Sequence, residues 1–258
     1  MDATMQRDDV IRVLGPIDLL TATGAQSIRS RHCRAVLGML VLGAGRAVSV
    51  DRLRAGLWGE SPPKSADNSL QTYVSRLRRV VGTDVLEHAD HAYQLVVGRD
   101  QIDALRFEDL LLRATELRSE PERCQALCRE ALALWRGDPF GDLYDDETFR
   151  LEARRLEELR LGVMELEMEA ELALGNHEIV VAELESAVEE HPYREHLWYL
   201  LIEALLRSER RVDALRACHR LDRELGEVGV DAGDQLRRIE ARILGVEPGP
   251  DHTEPQRS

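Results

Sequence analysis

The segment from Ser65 to Gly82 combines a hydrophobic stripe with side chains that can hydrogen-bond nucleic-acid bases. At about 100° per residue, a helix here gathers its apolar residues onto one side. The polar residues that face away from that side, or flank it, are Asn68, Gln71, Thr72, Ser75, Arg76, Arg78 and Arg79. Guanidinium groups can bond guanine edges or phosphates, amides can bond adenine, and a threonine methyl can contact thymine. The segment therefore predicts a helix suited to the major groove, although by itself it also fits an ordinary amphipathic surface helix.

The flanking segments favour the first interpretation because their order is that of a winged helix. Arg29 to Leu42 and Val50 to Trp58 predict two helices, and the two prolines within Gly59 to Lys64 require a turn before the third helix. Two β-type runs downstream, Val85 to Leu86 and Tyr93 to Val97, predict a hairpin. Short extended pieces precede the helices at Val10 to Leu14, Ile17 to Thr21 and Ser27 to Ile28. A small sheet ahead of the helices is typical of the OmpR-type class of winged helix.

From Asp103 onward the pattern predicts helices almost throughout. The predicted helices are Leu105 to Arg118, Pro121 to Trp135, Thr148 to Leu174, Glu178 to His191, Glu195 to Arg207, Val212 to Leu225 and Gly233 to Leu244. A helix, short turn, helix layout recurs at an offset of about 34 residues, the tetratricopeptide period. Small residues are expected at helix crossings, namely Ala170, Ala182, Ala204 and Ala214. A plain bundle with accidental periodicity is the alternative.

The predicted fold class is mainly α, with an α+β N-terminal winged helix and an all-α, tetratricopeptide-like C-terminal domain. We place the domains at residues 1–100 and 101–246, followed by a polar, disordered tail at 247–258. Residues 1–100 hold 13 basic and 11 acidic side chains, whereas the remainder is strongly acidic within a chain of net charge −14. DNA contact by the first domain is compatible with this total because charges are screened beyond about 8 to 10 Å. A fragment of residues 1–100 is expected to fold and bind DNA by itself.

Other classes of function find little support in the residues. There is no apolar run of about 18 residues and no signal peptide at Met1 to Asp9, so a cytoplasmic location is expected. The four cysteines, Cys33, Cys124, Cys128 and Cys218, lie in helical patterns. Cys124, Cys128, Cys218 and His219 could ligate a metal, but buried reduced thiols are the preferred interpretation. No phosphate-binding loop or nucleophile and base arrangement occurs, so we predict neither an enzyme nor a metal or cofactor.

Four motifs, taken in their order and spacing, resemble those of the Streptomyces antibiotic regulatory protein family. They are RVLGPIDL, RSRHCRAVLGMLVL, AGRAVSVDRLRAGLWGESPPKSADNSLQTYVSRLRRVVG and ALALWRGDPFGDL. The similarity extends from about Ile11 to Leu244. It implies an OmpR-type DNA-binding domain followed by a bacterial transcriptional activation domain built like tetratricopeptide repeats. The implied function is transcriptional activation of a secondary-metabolite or antibiotic gene cluster.

The resemblance also assigns roles to residues. The recognition helix would use Asn68, Gln71, Thr72, Ser75, Arg76 and Arg79, and the phosphate contacts would come from Arg78, Arg29, Arg31 and Arg34. Members of the family bind direct repeats of double-stranded DNA side by side, which implies self-association at least on DNA. They contact RNA polymerase, including its sigma factor, through the loop between the second and third helices. Here that loop comprises Gly59, Glu60, Ser61, Pro62, Pro63 and Lys64.

The sequence departs from the family pattern at the wing. Most members of the family that it resembles carry a Gly-Pro-Gly-Tyr-Arg-like segment, whereas this chain has Glu87 to Gln94, EHADHAYQ. Two acids and no arginine would repel phosphate there. This departure motivates the alternative function, a tetratricopeptide-like protein-interaction scaffold whose degenerate winged helix no longer binds DNA. A second departure, Asp231 to Asp234, affects only a turn.

Overall fold

A three-stranded antiparallel sheet begins the part of the chain that the structure, a computed structural model, describes: residues 8–231 and 233–245. Its strands are β1 (Val10–Arg12), β2 (Asp18–Thr21) and β3 (Gly24–Ser27), paired in that order. The third strand begins earlier than predicted because Gly24, at φ +112°, already pairs with Thr21 across a tight turn. Ile11 and Leu19 pair across β1 and β2 and are buried.

Three helices and a second small sheet follow, as the winged-helix prediction requires. The helices are α1 (Arg31–Leu42), α2 (Val50–Trp58) and α3 (Ala66–Val81). The sheet contains β4 (Val48–Ser49), β5 (Leu86–Ala89) and β6 (Ala92–Leu95), with β6 in the centre and antiparallel to both neighbours. Ser30 and Ser49 cap α1 and α2 by accepting hydrogen bonds from backbone N–H groups. Strand β4 is absent from the prediction because two residues show no periodicity, and only its pairing with β6 defines it.

The next helices are α4 (Asp103–Glu116), α5 (Pro121–Leu132) and α6 (Glu147–Ala173). Residues 8–119 and 126–164 form one compact unit, so part of the predicted second domain completes the core around the winged helix. Phe149 lies so close to Gly38 of α1 that a Cβ at Gly38 would be 2.7 Å from its ring. The carboxylate of Asp103, which is 1% exposed, accepts hydrogen bonds from the backbone N–H groups of Val13 at 2.7 Å and Leu14 at 3.0 Å. These contacts argue against independent folding of residues 1–100, because that fragment lacks both Phe149 and Asp103.

The second compact unit comprises residues 120–125 and the described residues from 165 onward. It contains α7 (His177–Glu190), α8 (Glu195–Arg207), α9 (Arg211–Glu227) and α10 (Asp234–Leu244), each packed on the next.

The predicted offset of 34 residues is visible in the burial pattern of this unit. Ala170 and Ala204 are both buried, as are Leu184 and Cys218. Turns at equivalent places use left-handed backbone at Gly175, φ +89°, and Glu209, φ +60°. The repeat is therefore structural rather than accidental.

One of the small residues expected at a helix crossing is misplaced. Ala182 is exposed, because α7 packs through Val180, Val181 and Leu184 instead. The other expected crossing residues, Ala170, Ala204 and Ala214, are buried as predicted.

All four cysteines are buried and unbridged, as predicted. Burial raises the pKa of Cys218 to about 12, which opposes the thiolate form that a metal requires. Within residues 8–231 and 233–245, no group of three or more His, Cys, Asp or Glu side chains is arranged to hold a metal ion.

None of the helices described in the structure is both long and apolar enough to cross a membrane. The tail predicted at residues 247–258 lies outside the described residues.

Candidate nucleic-acid interface

Helix α3 separates its residues into a buried back and an exposed front. Leu70, Val74, Leu77 and Val81 are buried, and Tyr73 is half-buried. The six residues predicted for DNA recognition on this helix are all exposed and line one shallow surface groove of about 540 Å³. They are Asn68, Gln71, Thr72, Ser75, Arg76 and Arg79. The structure thus brings this part of the predicted site together on one face.

The groups on this face differ in what they can offer a ligand. The Thr72 hydroxyl donates to the carbonyl oxygen of Asn68 at 2.8 Å, so its proton is used within the helix while its methyl and oxygen lone pairs remain. The guanidinium groups of Arg76 and Arg79 form no ion pair with any carboxylate of the described residues. Two free cations beside amide and hydroxyl groups suit contacts to base edges and phosphates.

Aromatic packing positions α3 against its neighbours. The ring of His32, in the first turn of α1, stacks on Tyr73 with centroids 5.1 Å apart and planes 11° apart. Trp58, at the end of α2, lies 6.5 Å from the same tyrosine ring. The first turn of α1 therefore lies directly beside α3.

Arg78 has a role that the sequence does not suggest. Its Nε donates to the carbonyl oxygen of Leu86 at 2.9 Å, and the side chain is half-buried. This hydrogen bond ties α3 to the first residue of β5. Arg78 thus helps to position the hairpin through its Nε, while the predicted phosphate contact by its terminal nitrogens stays a prediction.

The three arginines at the beginning of α1 do not share one environment. Arg29 is exposed, consistent with the predicted phosphate contact. Arg34 forms a bidentate pair with Asp142, at 2.9 and 2.6 Å, and its Nη1 donates to the carbonyl oxygens of Ile28 and Arg29. Because these bonds occupy every nitrogen of the guanidinium, we correct the prediction for Arg34 to a structural role.

Arg31 is intermediate between these cases. Its side chain is 53% exposed and lies 3.4 Å from a carboxylate oxygen of Asp146 and 3.9 Å from one of Asp142. Sequence reasoning missed both acids. The only signal was the acidic run DLYDD at residues 142–146, more than 100 residues beyond Arg31.

The wing is a tight hairpin that exposes its acids. Asp90 and His91 form its two-residue turn with φ values of +47° and +63°, as a type I′ connection requires. Glu87 and Asp90 are exposed, and the ring of His88 packs on Tyr93 at 4.6 Å. Neither β5 nor β6 carries a lysine or arginine.

The loop between α2 and α3 is exposed along its whole length, from Gly59 to Lys64. Gly59 ends α2 with φ +58°, and the backbone N–H of Ala66 donates to the carbonyl oxygen of Pro63 at 2.9 Å, which leads the chain into α3. The six residues predicted to contact polymerase are therefore accessible on one surface loop.

Two family models and several known regulatory proteins match this chain. A family model described as "Bacterial transcriptional activator domain" matches residues 102–244, and one described as "Transcriptional regulatory protein, C terminal" matches residues 28–98. "Regulatory protein DnrI" of Streptomyces peucetius is 36% identical over 95% of this chain and 96% of its own length. "Regulatory protein AfsR" of Streptomyces griseus is 35% identical over 90% of this chain, which spans 24% of that larger protein.

A solved structure shows the same fold. The structure described as "Mycobacterium tuberculosis EmbR in complex with low affinity phosphopeptide" superposes with a TM-score of 0.87 at 34% identity, covering 94% of this chain and 66% of that one. Near-complete coverage of DnrI and the matches to both domains agree with the winged helix and the helical repeats described above. The chain belongs to the Streptomyces antibiotic regulatory protein family of transcriptional regulators, with an OmpR-type winged helix followed by a bacterial transcriptional activator domain.

Proposed function

We propose that this chain is a sequence-specific DNA-binding transcriptional activator. The observation that carries the proposal is the exposed face of α3, where Arg76 and Arg79, unpaired with any carboxylate in the described part of the chain, lie beside amide and hydroxyl groups. An α-helix with a packed back fits the major groove of B-DNA, and these side-chain types match the patterns on base edges.

The contacts divide into two kinds. Base edges are read from the exposed face of α3, by Gln71, Thr72, Ser75, Arg76 and Arg79 with Asn68 at the beginning of the helix. Phosphates are contacted by Arg29, which precedes α1, and by Arg31, which lies in its first turn. These contacts set the register of α3 in the groove. The stacking of His32 on Tyr73 supports this arrangement, because it keeps the first turn of α1 beside α3.

The target promoter, the DNA repeats, the location and the polymerase contact are inferred from the family to which the chain belongs. Membership of the Streptomyces antibiotic regulatory protein family supports a target promoter in a secondary-metabolite or antibiotic gene cluster. The chain binds direct repeats, with self-association at least on DNA, and acts in the cytoplasm. The exposed loop Gly59–Lys64 contacts RNA polymerase, including its sigma factor.

Gel shifts of the full chain on the upstream regions of the neighbouring genes, at several salt concentrations, test DNA binding. We expect specific binding that weakens steeply with salt, because phosphate contacts release counterions. Arg79→Ala should weaken this binding by about 1 to 3 kcal/mol, whereas Arg113→Ala, which removes an exposed charge from α4, should not.

The exposed acids of the wing favour one alternative, a protein-interaction scaffold that has lost DNA binding. Absence of binding to any of these regions even at low salt would support that alternative. Binding that responds to Arg79→Ala and not to Arg113→Ala would reject it.

A further inference from the structure

Arg31 is held by carboxylates on the side of the molecule that faces DNA under the proposed function. Its Nη2 lies 3.4 Å from Oδ2 of Asp146, and its Nε lies 3.9 Å from Oδ2 of Asp142. The neighbouring residue, His32, stacks on Tyr73 of the recognition helix. Arg31 thus lies close to where α3 would bring a phosphate backbone, yet its charge is already partly neutralised.

The two arginines that meet this acidic segment differ in how firmly they are held. Arg34 is 19% exposed and bound by the short bidentate pair to Asp142 and by two backbone carbonyls. That pairing lowers the pKa of Asp142 below its ordinary value, chiefly through the hydrogen bond from Arg34. Arg31 is 53% exposed, and both of its contacts are longer than an ordinary charged hydrogen bond. Arg31 can therefore leave its carboxylates at a lower cost than Arg34, because its contacts are fewer and longer.

The carboxylate of Asp146 is fixed independently of Arg31. Its Oδ1 accepts a hydrogen bond from the backbone N–H of Thr148 at 3.1 Å and so caps the beginning of α6. Its Oδ2 is the atom that faces Arg31. The acceptor therefore remains in place whether or not the guanidinium is engaged.

We propose that Arg31 exchanges Asp146 for a DNA phosphate, and that Asp146 acts as an internal competitor that limits DNA affinity. Carboxylate and phosphate oxygens offer a guanidinium the same kind of charged acceptor, so the two compete directly for it. This proposal rests on the proposed function, because it requires a phosphate backbone at α1.

The test compares DNA affinities of the full chain and its variants on one specific site. Asp146→Asn keeps an oxygen that can cap α6 but removes the charge that holds Arg31. Asp145→Asn is the matched control, since Asp145 is exposed and forms no ion pair among the described residues. We expect Asp146→Asn to bind about two- to fivefold more tightly than Asp145→Asn, the size of a surface ion pair.

Arg31→Ala supplies the decisive background. There, adding Asp146→Asn should change affinity no more than adding Asp145→Asn, because the arginine that links Asp146 to DNA is gone. Asp146→Ser, which also retains a capping oxygen, serves as a second variant should the asparagine variant fold poorly.

Three results would overturn the proposal. They are equal affinities for the Asp146 and Asp145 variants, weaker binding by Asp146→Asn, and a gain that persists in the Arg31→Ala background. Failure of the unmodified chain to bind DNA at any salt concentration is a different result, because it would reject the proposed function itself and the competition with it.

Discussion

Among single residues, Arg76 provides the sharpest test of base reading. Its guanidinium is exposed on α3 and is not paired with a carboxylate of the described residues. If it pairs with a guanine, Arg76→Ala should weaken specific binding by about 1 to 3 kcal/mol and relax the preference at one base position. Dissociation constants on specific and random DNA decide the matter. Equal losses on both would identify Arg76 as a phosphate contact instead.

Asp103 is the residue on which the core of the first unit depends most clearly. Its buried carboxylate accepts from the backbone N–H groups of Val13 and Leu14 and lies 3.8 Å from the guanidinium of Arg136. Asp103→Asn places an amide NH₂ against one of those N–H donors. We expect the free energy of unfolding at neutral pH to fall by about 1 to 3 kcal/mol, the cost of an unsatisfied buried group. Urea unfolding of the full chain measures it.

The same residue predicts a dependence on pH. Burial raises the pKa of Asp103 to about 6, and this effect exceeds the lowering by its backbone donors and Arg136. Between about pH 4 and 6 the folded chain therefore holds a proton that the unfolded chain has lost, and stability from this group decreases as pH rises. The free energy of unfolding of the unmodified chain minus that of Asp103→Asn should shrink from pH 4 to 7, by on the order of 1 to 3 kcal/mol. A difference that grows with pH would mean that the donors and Arg136 outweigh burial.

At the scale of secondary-structure elements, the hairpin β5–β6 is the part of the proposed interface that departs from the family's sequence pattern. Glu87 and Asp90 are exposed and would face phosphates if the wing approaches DNA. Changing them together to Gln and Asn should tighten binding roughly two- to tenfold at low salt, with little change in sequence preference. Asn tolerates the left-handed backbone of position 90, so the turn should survive.

Controls for this hairpin experiment are available in the same unit. Glu116→Gln with Asp138→Asn removes two exposed acids that belong neither to the wing nor to the carboxylates contacting Arg31. Titrations on specific and random DNA compare the two double variants. Equal affinities would show that the wing does not approach DNA.

At the scale of the whole molecule, the two compact units predict which fragments fold. A fragment of residues 1–164 contains Phe149 and Asp103 and should unfold cooperatively in a thermal melt, whereas residues 1–100 should not. The longer fragment should bind a single DNA site nearly as well as the full chain. Its affinity for a double site should fall toward that for one site if the second unit links neighbouring copies.

Circular dichroism and titrations on one-site and two-site DNA test these statements. Cooperative unfolding of residues 1–100 would show that this segment folds by itself, as the sequence predicts. A 1–164 fragment that matches the full chain on double sites and in transcription would assign the second unit a role other than assembly.

The elements were predictable wherever local spacing decides the outcome. In α3 the apolar residues recur every three to four positions, so Leu70, Val74 and Leu77 had to lie on one face and the six polar residues on the other. The helices of the second unit were predictable for the same reason. Strand β4 and the early start of β3 were not, because two or four residues carry no periodic signal and pairing with a neighbour defines them.

The sequence by itself determined the winged-helix order, the exposed polar face of α3, the helical repeats and the family, because each depends on residues close together in the chain or on motifs in a fixed order. Only the tertiary structure decided which arginines are free. Arg34 pairs with Asp142, 108 residues away, Arg31 with Asp146, and Arg78 with the backbone of Leu86. In the sequence, an arginine that will be paired has the same charge and the same helical spacing as one that stays unpaired. The difference arises only when packing brings distant carboxylates and carbonyls within hydrogen-bonding distance.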